Sequence, residues 1–127
     1  MSDLNDMVKK FHEVFGLPIH HSPLIPDQDR IELRLRLIRE EFDELTGATY
    51  AHDLVEIADA LGDLLYVIQG MALEFGIPLD LVLAEIHRSN MTKLWPDGKP
   101  HTRADGKILK PKDYSPANIA EVLEKVT

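Results

Sequence analysis

The stretch from Asp53 to Gly76, DLVEIADALGDLLYVIQGMALEFG, decides the fold. Its apolar residues recur at helical spacing, and its first and last residues are typical of a helix N-cap and a helix C-cap. Apolar side chains occur on nearly every side of this segment from Leu64 to Leu73. The pattern therefore predicts a long helix that is buried almost all round.

Three acidic residues interrupt this apolar helix on one side: Glu56, Asp59 and Asp63. Helical spacing gathers their carboxylates within about 60°, where they repel each other and are costly to desolvate. No Lys or Arg occurs between Glu40 and His87 to neutralise them. A divalent cation with oxygen ligands, Mg²⁺ or Mn²⁺, is the simplest compensation. The alternative is pairing with the downstream basic segment or with arginines of the preceding helix: Arg30, Arg34, Arg36 and Arg39.

The preceding helix repeats this arrangement. Its predicted core stripe consists of Ile31, Leu35, Ile38, Phe42 and Leu45. On the opposite side, Leu33 and Leu37 share a sector with the acidic group Glu40, Glu41 and Glu44. Because a solvated face would not carry two leucines, we expect both sides of this helix to be covered, with the carboxylates in a shielded space.

Working outward, helical periodicity predicts further helices at about residues 3–16, 28–46, 78–94 and 116–126. Gly47 is expected to close the second helix, and Ser115 to cap the last. The segment 95–113 contains two turn signals and predicts a loop or a small hairpin, with Thr102–Arg103 against Lys107–Leu109. A chain of 127 residues without repeats fits one all-α domain, residues 1–127: a four-helix bundle with a basic hairpin and a short final helix. A second copy would complete its core.

Charge and composition exclude several classes of protein. The net charge of −8 argues against broad nucleic-acid binding, although the segment from Arg88 to Lys112 is basic. The absence of cysteine excludes disulfides and thiolate metal sites. The first residues lack an apolar signal core, and no apolar run has the length needed to span a bilayer. A cytoplasmic protein without membrane partners is the expectation.

The fourth helix suggests an anion site. Its apolar stripe, Leu79, Leu83 and Ile86, continues into Asn90 and Lys93. An ammonium group there can bind phosphate, and an amide can hydrogen-bond a polar ligand. Helix fraying, with a lysine favoured by the helix dipole, explains the same pattern. Three residues of the following loop are further candidates that could also be solvated: Lys107, Lys110 and Tyr114. Phe11, Phe15 and His12 could line a base pocket or belong to core and surface.

Four segments together resemble a known superfamily: REEFDEL (39–45), EIADALGDLLYV (56–67), IHRSNMTK (86–93) and DGKILK (105–110). They are similar to the MazG-like all-α nucleotide pyrophosphohydrolases, in the branch labelled phosphoribosyl-ATP pyrophosphohydrolase-like, which is itself similar to MazG-like dUTP pyrophosphatases. The resemblance covers about residues 4–115. It implies a Mg²⁺-dependent enzyme that works as a homodimer or a dimer of dimers.

The resemblance also implies particular ligands. The first acidic motif of the family, Glu-x-x-Glu, falls on Glu41 and Glu44, and the second, Glu-x-x-Asp, ends on Asp63. Ala60 stands where the glutamate of the second motif would be. Asp59 and Glu56 lie on the same broad face and are candidates to supply the missing ligand.

These observations lead to the hypothesis of metal-assisted hydrolysis of a nucleoside triphosphate, such as dUTP or another non-canonical or pyrimidine deoxynucleotide. Glu41, Glu44, Asp59, Asp63 and Glu56 are the metal candidates, and Glu40 or Glu41 would accept the proton of the attacking water. Asn90, Lys93, Lys107, Lys110 and Tyr114 would contact phosphate or sugar. Two alternatives remain: hydrolysis of phosphoribosyl-ATP in histidine synthesis, and a non-catalytic helical dimer that binds nucleotide or metal.

Overall fold

The computed structural model describes residues 2–126 and confirms the all-α class. Its helices are α1 (Ser2–Phe15), α2 (Gln28–Tyr50), α3 (Leu54–Phe75), α4 (Leu79–Met91) and α5 (Ile119–Glu124). Within the described residues, pairing of extended backbone is limited to one bridge between Thr102 and Ile108. The chain separates into two compact units, one up to Pro78 and one from Leu79 onward, which are described individually below. The single domain expected from the length stays a prediction.

Both ends of α3 follow the sequence prediction. The Asp53 carboxylate accepts a hydrogen bond from the Glu56 N–H at 3.1 Å, which satisfies a free donor of the first turn. Gly76 ends the helix with a φ of 65°, in the left-handed region that favours glycine. A Cβ at Gly76 would collide with the Ser22 carbonyl, so the residue also admits the incoming loop. That loop is tied to α3 because the His20 N–H donates to the Leu73 carbonyl at 2.9 Å.

The prediction that Gly47 closes α2 is wrong. The helix continues through Gly47 to Tyr50, and the Ala51 N–H still donates to the Gly47 carbonyl at 3.0 Å. The reversal occurs at His52 instead, which adopts a φ of 55° directly before the Asp53 cap. A glycine ends a helix where the chain must turn left-handed, and here that requirement arises five residues later.

Burial differs from the sequence prediction along half of the α2–α3 pair. The second half of α3 is buried, and Leu73 packs there with Leu4 and Val8 of α1. The first half is open, however, and Leu61 and Leu65 remain 52% and 43% exposed. On α2, two members of the predicted core stripe, Leu35 and Phe42, are also exposed. Helical periodicity identifies an apolar face correctly, but burial requires a neighbour, and within this unit α1 packs against the buried half of α3.

In the second unit, α4 ends at Met91 and α5 begins only at Ile119, both shorter than predicted. Ser115 is not the cap of α5; Asn118 is, and its side chain accepts from the Glu121 N–H at 3.2 Å. Ser115 is engaged with α4 instead, because its carbonyl accepts from the Ser89 hydroxyl at 2.8 Å. The predicted hairpin is confirmed, with the Arg103 N–H donating to the Lys107 carbonyl at 2.8 Å.

No single helix among the described residues is long and apolar enough to cross a membrane.

Candidate metal centre

Carboxylates of α2 and α3 meet in the first unit. Glu41 and Glu44 lie one turn apart on α2 and face Asp63 on α3. One oxygen from each of the three carboxylates lies within 4.8 Å of the others, which is close enough for a single cation to contact all three. We call these three residues, together with the adjacent Asp59, the acidic cluster.

The electrostatics of the acidic cluster favour a bound cation. Burial raises the pKa of the Glu41 carboxyl, and the charges of Glu44, Asp63 and Asp59 raise it further. Burial likewise raises the pKa of Asp63, with the Asp59 and Glu44 carboxylates adding to the effect. The Oε2 atom of Glu41 is buried and has no hydrogen-bond partner among residues 2–126. A hard divalent cation would satisfy this oxygen and offset the repulsion, so the donor set fits the metal implied by the sequence.

Two arginines of α2 do not neutralise the acidic cluster, because they are paired elsewhere. Arg30 donates through two nitrogens to the two Glu74 oxygens, each at 2.8 Å. Arg34 lies 3.3 Å from the same carboxylate and also donates to the Val67 carbonyl at 2.8 Å. Glu74 itself is fully buried. The alternative that Arg30 and Arg34 neutralise the acidic cluster is therefore wrong.

The other arginines of α2, Arg36 and Arg39, are exposed and form no ion pair within the described part of the chain.

Two predicted residues stand apart from the acidic cluster. Glu40 is exposed on α2, one turn before Glu44. Glu56 lies in the first turn of α3, next to the turn that connects α2 and α3, where it lines a cavity of about 300 Å³ together with Glu44. The other lining residues are small or capping: Gly47, Ala48, Ala51, Asp53 and Ala60. Ala60 is buried, so the position of the family glutamate is filled by a methyl group that borders this cavity.

The predicted phosphate and sugar contacts all lie in the second unit. Asn90 and Lys93 line a cavity of about 160 Å³ with apolar neighbours that include Ile108 of the hairpin. The Tyr114 hydroxyl is hydrogen-bonded to the hydroxyl of the buried Ser89 at 3.1 Å; because Ser89 donates its proton to the Ser115 carbonyl, Tyr114 is the donor. The Lys110 ammonium stands 4.9 Å from the centre of the Tyr114 ring. Lys107 is exposed on the hairpin.

The sequence reading missed the pairing of Glu74 with Arg30 and Arg34. A signal was present, because an acid follows a long apolar run and two arginines lie one turn apart on the neighbouring helix. It also missed Ser89, which is buried and links α4 to the C-terminal segment. A small polar residue gives no such signal in sequence.

Comparison with known proteins identifies the family. Residues 8–90 match the family model described as phosphoribosyl-ATP pyrophosphohydrolase, which covers more than half of the chain and all of the acidic candidates. The chain is also 43% identical over 77 residues to "Uncharacterized protein L479" of Acanthamoeba polyphaga mimivirus. That alignment covers 58% of this chain but only 31% of the viral protein. With its acidic helices and this match, the chain belongs to the phosphoribosyl-ATP pyrophosphohydrolase family, within the MazG-like nucleotide pyrophosphohydrolases.

Proposed function

We propose that this protein hydrolyses a nucleoside triphosphate between its α- and β-phosphates, with Mg²⁺ as cofactor and Mn²⁺ as a substitute. The water oxygen forms a bond to the α-phosphorus, and the bond from that phosphorus to the bridging oxygen breaks. The products are a nucleoside monophosphate and pyrophosphate. dUTP or another non-canonical or pyrimidine deoxynucleotide is the proposed substrate group.

The observation that carries this proposal is the acidic cluster with its unpartnered oxygen. Three carboxylates are held together without an ion pair to any Lys or Arg in the described part of the chain, and one buried oxygen of Glu41 lacks a hydrogen bond there. Such an arrangement costs free energy unless a ligand compensates it. A structural ion pair has the opposite character, as Glu74 illustrates.

The residues have separate roles in the proposed reaction. Glu41, Glu44, Asp59 and Asp63 hold the cation, and Glu56 is the more distant candidate ligand. Bound Mg²⁺ supplies neutralisation of phosphate charge and orientation of the attacking water. Glu40 or Glu41 accepts the proton that this water releases. Asp59 takes the place of the family glutamate, which is supported by its charge acting on both Asp63 and Glu41.

The second unit supplies the proposed contacts to phosphate and sugar. Lys93, Lys107 and Lys110 act as point charges on phosphate oxygens. Asn90 and Tyr114 provide directional hydrogen bonds to phosphate or sugar. The cavity beside Asn90 and Lys93 supports this assignment, because it brings an amide and an ammonium to one apolar recess.

We further propose that the protein acts in the cytoplasm as a single-domain homodimer, or as a dimer of dimers. Exposed apolar side chains on α2 and α3 support this assembly, namely those of Leu35, Phe42, Leu61 and Leu65. Burial of this face by a second copy would contribute a free energy of about 25 cal/mol for each Å² of apolar surface removed from water.

The test is a product analysis. The full chain is incubated with Mg²⁺ and a panel of nucleoside triphosphates, and nucleotide and phosphate products are quantified. Monophosphate and pyrophosphate are expected in equal amounts. Glu44→Ala should lower kcat/KM about 100-fold or more, because a cation contributes several kcal/mol of charge stabilisation. Asp43→Ala is the matched control, since it removes a neighbouring exposed acid outside the acidic cluster. Release of orthophosphate alone, or an unchanged Glu44→Ala enzyme, would contradict the proposal.

Phosphoribosyl-ATP belongs in the same panel, because the family that matches residues 8–90 is named for its hydrolysis. Turnover of this compound in preference to all triphosphates would identify the alternative activity. Binding of nucleotide and metal without any turnover would identify the non-catalytic alternative.

A further inference from the structure

The three candidate base-pocket residues of α1, Phe11, His12 and Phe15, differ in their exposure to solvent. His12 is buried at 1% exposure, and its Nδ1 atom lies 2.9 Å from the Pro18 carbonyl oxygen. Phe11 and Phe15 are instead 38% and 64% exposed. Their ring centroids are 4.4 Å apart, and Phe11 meets the Tyr66 ring of α3 edge-on at 5.7 Å. We call Phe11, Phe15 and Tyr66 the aromatic patch.

The packing of α1 directs the aromatic patch towards the acidic cluster. Leu4 packs with Leu73 at one end of the contact, and Phe11 packs with Tyr66 at the other. Leu4 and Phe11 are seven residues apart in ascending order along α1, whereas their partners Leu73 and Tyr66 are seven residues apart in descending order along α3. Helix α1 is therefore antiparallel to α3. The next turn of α1 therefore carries Phe15 from the level of Tyr66 towards the Asp63 end of α3.

Helical geometry places Tyr66 in line with the acids. Asp59, Asp63 and Tyr66 lie within about 60° of each other around α3. Tyr66 follows Asp63 by three residues, roughly one turn or ~5 Å along the helix axis. The acidic face of α3 is thus continued by an aromatic ring, and α1 extends this ring surface with two exposed phenylalanines.

We propose that the aromatic patch stacks the nucleobase of a substrate whose phosphates are held at the acidic cluster. This inference rests on the proposed function and deepens it. A phenyl ring contacts the face of a base and not its hydrogen-bonding edge, and every base offers such a face. Stacking on the patch therefore contributes affinity without distinguishing purines from pyrimidines, and the base preference proposed above requires separate contacts to the edge of the base. Tyr66 lies one turn from Asp63 along α3, beside the acids that would hold the cation, and this position favours a base over the other possible occupant, a second copy of the chain.

A fluorescent nucleotide tests the proposal directly. 2-Aminopurine riboside triphosphate is titrated into the full chain with Ca²⁺, which takes oxygen ligands as Mg²⁺ does. Quenching of the base is expected with wild type and is expected to disappear with EDTA. Phe15→Ala should raise the Kd about 5- to 150-fold, the range for loss of one base–aromatic stack. Phe15→Trp should restore the affinity, and Val14→Ala is the matched control because Val14 is an equally exposed apolar residue of α1.

Inorganic tripolyphosphate separates the base from the phosphates. Its affinity, measured by calorimetry, should be the same for Phe15→Ala and wild type, because it lacks a base. Three results would overturn the proposal: an unchanged nucleotide Kd, an equal loss of tripolyphosphate binding, or dissociation of an oligomer by Phe15→Ala. The last result would assign the rings to a subunit interface. Stacking without hydrolysis would leave this inference standing while the proposed reaction fails, so the two are distinguishable.

Discussion

Helices α2 and α3 carry acids in two opposite electrostatic environments. At the end of the α2–α3 pair away from the connecting turn, Glu74 is fully buried and receives Arg30 and Arg34. Nearer the connecting turn, the acidic cluster is more exposed, pairs with no arginine among the described residues, and retains an oxygen of Glu41 without a hydrogen-bond partner there. The chain thus supplies cations to the acid that is hardest to desolvate, and leaves the accessible acids without them.

This difference distinguishes a structural charge from a ligand-binding charge. A buried carboxylate with complete partners fixes the register of two helices. A clustered set of carboxylates with raised pKa values at Glu41 and Asp63 remains under repulsion until an external cation arrives. Replacement of members of each group should therefore have opposite effects on folding and on metal binding.

The largest effect is expected at the paired acid. Glu74→Ala leaves Arg30 and Arg34 without their shared carboxylate and should lower the free energy of unfolding by about 3–5 kcal/mol. Urea denaturation measures this change. Glu32→Ala removes an exposed acid of α2 and should change the stability by no more than about 0.5 kcal/mol. Equal stabilities of Glu74→Ala and Glu32→Ala would contradict the distinction.

A smaller effect, on metal affinity, should show which acids belong to the acidic cluster. Asp59→Asn should weaken Mn²⁺ binding by about 10- to 100-fold. This is the loss that follows removal of a residue that hydrogen-bonds a metal ligand, and removal of a ligand itself should cost at least as much. Glu56→Gln removes an acid of the same helix that faces the neighbouring cavity, and it should change the affinity much less. Calorimetric titration of both variants compares them under one condition. A stronger effect of Glu56→Gln would make Glu56 the substitute for the missing family glutamate.

The smallest effect is expected at a paired acid on the surface of the second unit. The Arg88 guanidinium, followed by the Asn118 N–H, lowers the pKa of Glu85 to about 2. A lowered carboxyl pKa means that the stabilisation is complete above the ordinary value of 4.5 and is lost as the pH falls towards 2. Glu85→Gln should therefore speed hydrogen exchange in α5 by up to about fivefold near neutral pH.

The difference between Glu85→Gln and wild type should then shrink below pH 4.5. Exchange rates that differ equally at pH 3 and at pH 7 would show that charge is not the cause.

Local chemistry made part of the fold predictable. Asp53 and Gly76 were identified as caps because the side-chain oxygen of one and the left-handed backbone of the other act within a single turn. Ser115 was predicted as a cap on the same grounds, but its backbone is hydrogen-bonded to the hydroxyl groups of Ser89 in α4 and of Thr92 just after α4. Such a tertiary hydrogen bond has no signature in the residues next to it.

The candidate site was predictable to the same extent. Helical spacing grouped Glu40, Glu41 and Glu44 on α2 and Glu56, Asp59 and Asp63 on α3. The family resemblance singled out Glu41, Glu44 and Asp63, and the structure brings the oxygens of these three together. The register between α2 and α3 is not encoded in either helix, so the sequence did not separate Asp59 from Glu56. Likewise it did not show that Leu61 and Leu65 are exposed, because burial depends on which element lies opposite.

The packing around Gly70 restricts which substitutions the chain can accept at this position. A Cβ at this position would fall against the Arg34 guanidinium, and it would also come within 3.1 Å of His12 Nε2. Any larger residue at position 70 therefore requires the Arg34 guanidinium to shift, and this shift would disturb the contact of Arg34 with Glu74. A change at Gly70 should consequently be accompanied by a change in the pairing of Arg34 with Glu74.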